Sequence, residues 1–265
     1  MRATIILTYR DGATDDRRRN LEAVTGWLAQ WPDQPLIVVE QDTFPRLTEP
    51  LQHPNGRIVF AYNPGPFNKA WGLNVGARRA DTSLLIFSDA DLVAGDMLPA
   101  MIAAAERGFE VVKPYRRLID LTPEETARVR DGKHAFVPER GTDIKPNREG
   151  IAERIVLCGG MFLIRAAAFA RIGAWDERFR GWGGEDDAMT LKIQRARLAT
   201  VELDERPAVH LWHPRPHGST YDHPHYAENH GLVQRYLRYS DAELSRLGEL
   251  NRQTMGHREK YRPFA

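Results

Sequence analysis

The chain has 265 residues, which is long enough to bury a large core and fits one α/β domain with an appendage. Its 37 basic and 36 acidic residues nearly cancel, so no global field would recruit nucleic acid or an anionic membrane surface. We therefore expect no nucleic-acid partner and a substrate site formed by a local pocket. Cys158 is the only cysteine, which excludes an intrachain disulfide and favours a reducing compartment, the cytoplasm.

The first part of the chain alternates strand and helix patterns, as βαβ units do. Its first apolar run, residues 5–8, is too short for a secretion signal or a membrane span. It predicts a buried strand, and no transmembrane segment is expected. The run at residues 84–87 is apolar throughout, which is typical of a central parallel strand. Further strands are predicted over residues 35–40 and 57–62, and helices over residues 17–30 and 68–80.

The second part contains one long segment with little periodic pattern, residues 115–154, which is strongly charged and rich in Pro and Gly. Such a segment is either a functional lid or simply mobile, apart from a short helix that begins with a capping box at Thr122. We predict a catalytic domain over residues 1–213 and a helical extension over residues 214–265 packed on it. The other predicted elements are helices at 97–107 and 165–172, a strand at 110–114, a regular pattern at 156–164, an edge strand at 200–203 and a helix with a capping box at Ser240.

Two acids, Asp89 and Asp91, directly follow the apolar run at residues 84–87. Ligands of open α/β sheets collect beyond the carboxyl ends of strands, so a nucleotide site is expected here. On an extended strand end, acids two residues apart can point to one side and hold Mg²⁺ or Mn²⁺ against a diphosphate. A bare Asp-x-Asp is a weak signal, and a surface turn is the alternative. The position of the pair after a buried strand favours the metal site.

Six of the nine histidines fall between His210 and His230. His210 and His213 lie near two prolines, so we place them on a loop or a strand end. Imidazole beside carboxylate shifts the metal preference from Mg²⁺ toward Mn²⁺. One ion cannot use six histidines, so a solvated histidine-rich loop accounts for most of them, and we predict His213 first and His210 second as ligands.

An acidic run, Glu185, Asp186 and Asp187, follows two glycines and precedes a stretch with helical apolar spacing. Acids in the first turn of a helix cap free N–H groups and complement its dipole, which suffices for one or two of them. That alternative leaves Trp182 unexplained. An indole beside glycines and acids is common where proteins bind sugars, and one of the carboxylates can act as a general base toward a hydroxyl.

Three further residues have a functional and a plain interpretation. Arg10 follows the first strand and Lys69 begins a helix, so both are positioned to neutralise phosphate, although each alone is more typical of a surface charge. Cys158 lies in an apolar context without a nearby histidine. It is predicted to be a buried small hydrophobe and not a nucleophile.

Several motifs together resemble the β-1,4-galactosyltransferase group of metal-dependent glycosyltransferases with the GT-A fold. The catalytic halves of polypeptide N-acetylgalactosaminyltransferases and of chondroitin-type polymerases are similar too. The resemblance covers most of residues 5–213, and motifs in fixed order are more specific than any one alone. The motifs are Phe67-Asn68-Lys69-Ala70, Leu73-Asn74-Val75-Gly76, Phe87-Ser88-Asp89-Ala90-Asp91-Leu92, Gly159-Gly160 and residues 181–187.

The resemblance implies a mixed, mainly parallel sheet flanked by helices, a Rossmann-like nucleotide-diphospho-sugar fold of the α/β class. It implies Asp91 and His213 as manganese ligands, with His210 in the place where galactosyltransferases carry a methionine ligand. Asp186 matches the catalytic base. Glu185, Asp187 and Trp182 match acceptor contacts, and the implied donor contacts are Thr8, Arg10, Phe67, Lys69, Asp89, Asp91 and Gly160.

Relative to the galactosyltransferases, residues 115–154 resemble an insertion where acceptor recognition could be altered. The disulfide pair and the signal anchor of Golgi members have no counterpart here, so a cytoplasmic enzyme of bacterial type is expected. The leading hypothesis is an inverting transferase that uses Mn²⁺ or Mg²⁺ and moves a sugar from a nucleotide-sugar donor, a UDP-sugar, to a carbohydrate or other hydroxyl acceptor.

Three alternatives stay open. A retaining transferase of the same fold would not use Asp186 as a base. A sugar nucleotidyltransferase would normally begin with a glycine-rich phosphate loop, which residues 7–12 match poorly. A non-catalytic carbohydrate-binding module could have kept the tryptophan and the acids. Neither the sugar, the acceptor nor the oligomeric state is indicated by the sequence.

Overall fold

The computed structural model describes residues 1–138, 157–203, 206–214 and 222–262. Residues 139–154 of the predicted lid lie outside the described residues. The strands are β1 (Ala3–Tyr9), β2 (Leu36–Asp42), β3 (Gly56–Tyr62), β4 (Leu84–Ser88), β5 (Leu92–Val93), β6 (Val111–Lys113), β7 (Leu118–Asp120), β8 (Met161–Arg165), β9 (Thr200–Glu202) and β10 (Ala208–His210). The helices are α1 (Asp16–Leu28), α2 (Lys69–Ala77), α3 (Leu98–Glu106), α4 (Pro123–Arg130), α5 (Ala166–Arg171), α6 (Glu185–Arg195), α7 (Tyr226–Arg238) and α8 (Asp241–Thr254).

Seven strands form the main sheet in the order β3-β2-β1-β4-β8-β6-β9. β1, β2, β3 and β4 pair in parallel, β8 is antiparallel to β4 and to β6, and β9 is parallel to β6 at the edge. The strands β1 and β4 are buried along their whole length, which explains their continuous apolar runs, since helices cover both faces of a mostly parallel sheet. The predicted mixed, mainly parallel α/β class is confirmed.

Helix α2 can pack closely on this sheet because two of its residues, Gly72 and Gly76, lack side chains. A Cβ at Gly72 would overlap the hydroxyl of Thr8, and one at Gly76 would overlap Ile6. The helix begins where the side chain of Asn68 accepts a hydrogen bond from the Trp71 N–H at 2.8 Å. The cap and the two glycines therefore fix the position of the first turn, which carries Lys69.

A second, three-stranded sheet in the order β5-β10-β7 lies beside the carboxyl end of β4. β10 is antiparallel to β5 and parallel to β7. The described part of the segment predicted as a lid or insertion, residues 115–138, contributes β7 and α4, and α4 begins with the predicted capping box at Thr122. Arg130 at the end of α4 donates to Asp16 and Asn20 of α1, so α4 is anchored on the domain.

The C-terminal helices pack on α6. Tyr236 of α7 is buried against Phe179 and Ala188, and its hydroxyl lies 2.8 Å from a carboxylate oxygen of Asp176. The predicted capping box at Ser240 begins α8. In the ranges that the structure describes, no helix is both long and apolar enough to span a bilayer.

An aromatic cluster with side chains from β4 and β8 is expected to contribute strongly to the stability of the fold. Phe162 is 1% exposed and its ring centroid lies 5.5 Å from that of Phe87 and 5.8 Å from that of Trp175. We expect Phe162→Ala to lower the free energy of unfolding by about 3–5 kcal/mol, from lost burial and the cavity it leaves. Urea denaturation followed by circular dichroism measures this difference.

The matched control is Phe44→Ala, because Phe44 is 54% exposed and packs mainly under the guanidinium of Arg46. Its loss is expected to cost no more than about 1 kcal/mol. Equal destabilisation by the two substitutions would contradict the assignment of Phe162 to the core.

Candidate active site

Three potential metal ligands converge beyond the carboxyl end of β4. A carboxylate oxygen of Asp91 lies 3.3 Å from Nε2 of His213, the other lies 3.6 Å from Nε2 of His210, and one ligand atom from each residue lies within 4.8 Å of the others. Asp91 precedes β5 and His210 ends β10, and the Leu211 N–H donates to the Asp91 carbonyl at 2.8 Å. The small sheet therefore brings together ligands that are more than a hundred residues apart.

The charges of this group are strongly coupled. Burial alone would raise the pKa of Asp91, but the imidazoles of His210 and His213 hold it well below its usual range. Burial alone would lower the pKa of His210, and the carboxylates of Asp91 and Asp120 more than reverse this and raise it to about 9. One carboxylate with two imidazoles is a donor set that suits a divalent transition ion.

The structure separates the two acids that the sequence analysis placed on one side. Asp91 faces the histidines, whereas Asp89 lies 2.8 Å from the Nζ of Lys69. The reason is local: the chain turns between β4 and β5 and is not extended there. Each acid of the Asp-x-Asp pair therefore joins a different cluster.

Lys69 is the centre of the second cluster. Besides Asp89, its ammonium lies 3.2 Å from a carboxylate oxygen of Asp186 and 3.7 Å from one of Glu185. The acids come from the end of β4 and from the first turn of α6. Three carboxylates thus share one ammonium at the start of α2.

Crowding of these acids changes their proton affinity. Burial, opposed by Lys69 and reinforced by Glu185 and Asp89, raises the pKa of Asp186 to about 8. Burial also raises the pKa of Glu185 and of Asp187. The surrounding carboxylates outweigh the burial of Lys69 and raise its pKa well above the usual value.

The glycines before α6 are required by the backbone. Gly181, Gly183 and Gly184 all have positive φ, and Gly184 at +90° is the N-cap. A side chain at Gly184 would also meet the ring of Phe179. This turn delivers three acids to the first turn of α6, where the helix dipole favours negative charge.

Trp182 lies on the surface beside this turn. It is 48% exposed, and its ring stacks on that of His223 with centroids 5.0 Å apart. Asn229 of α7 donates to its carbonyl at 3.0 Å. An exposed, supported indole next to the acids has the shape that a sugar face needs.

Three of the predicted contacts to the nucleotide sugar, Thr8, Arg10 and Phe67, lie around the start of α2. The Arg10 guanidinium donates to the carbonyls of Gln41, Asn63 and Gly65 at 2.7–2.9 Å and lies 5.9 Å from the ring of Phe67. These hydrogen bonds hold the loop before α2 in place. The Thr8 hydroxyl donates to a backbone carbonyl at 3.2 Å. The roles of these residues toward a donor stay predictions.

Gly160 and Cys158 precede β8, whose first residue, Met161, is the register partner of Ser88 at the end of β4. Gly160 has φ +81°, a Cβ there would overlap the hydroxyl of Tyr115, and its carbonyl accepts from the Asp89 N–H at 2.9 Å. It therefore positions Asp89 through the backbone. Cys158 is 2% exposed, and burial raises the pKa of its thiol, as expected for a small buried hydrophobe.

Two residues of the site were not predicted from the sequence, Asp120 and Gln41. Asp120 lies 2.9 Å from Nδ1 of His210, and Gln41 hydrogen-bonds Thr8 and the backbone of Asn68 before α2. For Asp120 the signal was an apolar pair followed by an acid, the pattern of a strand end, within a segment predicted to be irregular. For Gln41 it was a polar residue at the end of a buried strand.

Comparison with known proteins identifies the family and the fold of the chain. The model of glycosyl transferase family 2 matches residues 18–173, more than half of the chain, and that of the N-terminal domain of galactosyltransferase matches residues 153–214. Chondroitin sulfate N-acetylgalactosaminyltransferase 1 of Mus musculus is 30% identical over 162 residues, which are 60% of this chain and 29% of that protein. The chain thus spans less than a third of the length of this relative.

Two solved structures share the fold. That of S. aureus TarS 1-349 in complex with UDP-GlcNAc has a TM-score of 0.61 and 16% identity and covers 96% of this chain and 72% of that one. That of GalNAc-T7 with UDP, GalNAc and Mn²⁺ has a TM-score of 0.57 and 16% identity and covers 94% and 54%. Both are similar to this chain in fold alone. The chain has the GT-A fold and belongs to glycosyl transferase family 2, which confirms the resemblance drawn from its motifs.

Proposed function

We propose that this chain transfers a sugar from a UDP-sugar to a hydroxyl of a carbohydrate or other acceptor, with inversion at the anomeric carbon and with Mn²⁺ as its cofactor. The observation that carries the proposal is the pairing of two clusters. Asp91, His210 and His213 form the ligand group, and a single residue separates Asp91 from Asp89, which Lys69 joins to Asp186. UDP-GlcNAc in TarS and UDP with Mn²⁺ in GalNAc-T7 support the choice of donor and metal.

In this proposal the metal site stabilises the leaving group, a nucleoside diphosphate. Asp91, His210 and His213 would hold Mn²⁺, or Mg²⁺ in its place, and the bound ion would stabilise the charge of the departing diphosphate. The two imidazoles make Mn²⁺ the better fit, since Mg²⁺ prefers oxygen ligands alone. Asp89, which pairs with Lys69, would contact the ribose and sugar of the donor.

Asp186 is the base in this proposal. Its pKa of about 8 matches a group that must accept a proton near neutral pH and release it again. The acceptor hydroxyl would lose its proton to Asp186 while its oxygen attacks the anomeric carbon in line with the diphosphate. Glu185 and Asp187 would hold other acceptor hydroxyls, and the exposed face of Trp182 would cover the sugar.

The direct test is a thermal-shift screen of nucleotides and nucleotide sugars with and without Mn²⁺. Stabilisation by a nucleoside diphosphate that requires Mn²⁺ is expected, because ligands that bind the folded state raise its melting temperature. Its absence for every nucleotide would overturn the proposal. The anomeric configuration of the product, read by NMR, then decides between inversion and retention.

Two substitutions are expected to separate metal binding from proton transfer. Asp91→Ala should abolish Mn²⁺-dependent nucleotide binding, because it removes the central ligand. Asp186→Asn should keep that binding and lower the transfer rate about 10²–10⁴-fold, which is the usual contribution of a general base to the rate. Calorimetry with UDP and Mn²⁺ measures the first effect, and single-turnover transfer measures the second.

The control is Asp96→Asn at an exposed acid near the same sheet, which should alter neither quantity. If Asp91→Ala and Asp186→Asn lost nucleotide binding equally, the two roles would be misassigned. If Asp186→Asn transferred sugar at the normal rate, the base would have to be another residue.

The pH dependence of transfer should report the proton on Asp186. A base works only when deprotonated, so kcat/KM should fall as the pH drops below about 8, the pKa of this group. Lys69→Met removes the ammonium that lowers this pKa, so it should move the acidic limb to higher pH. Profiles of kcat/KM for both proteins measure the shift.

Lys133→Met, at an exposed lysine, serves as the control and should leave the limb in place. An unchanged limb in Lys69→Met would show that the group seen in the profile is not Asp186.

A further inference from the structure

The two histidines of the ligand group differ in the group that their second ring nitrogen, Nδ1, contacts. Both turn Nε2 toward Asp91. Nδ1 of His213 lies 2.9 Å from the carbonyl of Pro214, whereas Nδ1 of His210 lies 2.9 Å from a carboxylate oxygen of Asp120. One histidine therefore faces a neutral acceptor next to it in sequence, and the other faces a charged acceptor ninety residues away.

The contact between Asp120 and His210 is built into the small sheet. The two residues are register partners in the parallel pair of β7 and β10. The Leu121 N–H donates to the His210 carbonyl at 2.9 Å and continues this pairing beyond the strands. Both side chains are 14% exposed, so the contact is mostly shielded from water.

A carboxylate in this position has a defined effect on an imidazole. It accepts a hydrogen bond from Nδ1–H, and in the neutral ring this tautomer leaves the lone pair on Nε2, the nitrogen directed at Asp91. It also fixes the plane of the ring and makes the ligating nitrogen more basic. Because the pair is partly buried, its electrostatic interaction is weakened less by solvent than at the surface.

We propose that Asp120 is a positioning residue of the metal site, which orients His210 and sets its tautomer for coordination. This inference rests on the proposed metal site and goes beyond it. It assigns a role to the segment around β7, which the sequence analysis treated as an insertion. Asp120 acts through His210 and does not itself contact the ion.

The test measures Mn²⁺ binding to the full chain without nucleotide, by the loss of the free Mn²⁺ signal in electron paramagnetic resonance. Asp120→Asn keeps the shape of the side chain and removes its charge, and it should weaken binding about 10–100-fold, as loss of an outer-shell partner does. Asp131→Asn, the same change at an exposed residue just after α4, should have no effect. Thermal melts without metal check that both variants are folded.

A double-mutant cycle distinguishes positioning from a general structural role. His210→Met supplies a ligand without an N–H, so Asp120 has nothing to orient. In that background Asp120→Asn should change Mn²⁺ affinity less than twofold. If the loss persisted there, Asp120 would act as a ligand or through the fold, and the inference would be overturned.

The remaining outcomes are equally clear. Unchanged affinity in Asp120→Asn alone would overturn the inference while leaving the metal site intact. Absence of Mn²⁺ binding by the unmodified chain, with and without UDP, would instead overturn the proposed metal site itself.

Discussion

The ammonium of Lys69 is the interaction on which the arrangement of this site depends. Three partly buried carboxylates from two elements lie within 3.7 Å of it. Without a cation among them, like charges at this separation would repel and hydration would be lost without compensation. The position of Lys69 is in turn fixed by the cap at Asn68, the close packing at Gly72 and the network around Gln41. A buried polar frame therefore holds the start of α2 against the acids.

The same physics gives the acids different chemistry. Asp91 has two imidazoles as partners and its pKa falls, so its carboxylate stays charged, as the proposed ligand role requires. Burial and the neighbouring carboxylates of Glu185 and Asp89 outweigh the shared ammonium and raise the pKa of Asp186 to about 8, so it can take up a proton near neutral pH. Environments that move the pKa values of neighbouring acids apart are how a single fold supplies both a metal ligand and a base.

The sequence predicts this site where the signal is local. The apolar run of β4 with acids beyond it, the glycine turn before α6 and the capping boxes at Thr122 and Ser240 all follow from short-range rules and all appear in the structure. The partners of Arg10 are backbone carbonyls of other segments, which no spacing in the sequence reveals. Helix α2 is predicted over residues 68–80 and ends at Ala77, since the ends of an element are the part that a sequence pattern predicts least well.

The Asp-x-Asp pair shows why position along a strand does not fix which partners a side chain meets. Extended backbone would send both carboxylates to one face, but the turn after β4 sends Asp89 toward the helices of the main sheet and Asp91 toward the small sheet. The pair is therefore a junction between two units. The main sheet supplies the acids around Lys69, and the small sheet supplies the histidines and Asp120. Because only one residue separates the two acids, a shift of the small sheet would move the ligand group relative to Asp186. The short strands β5, β7 and β10, of two or three residues each, therefore control the distance between the two clusters.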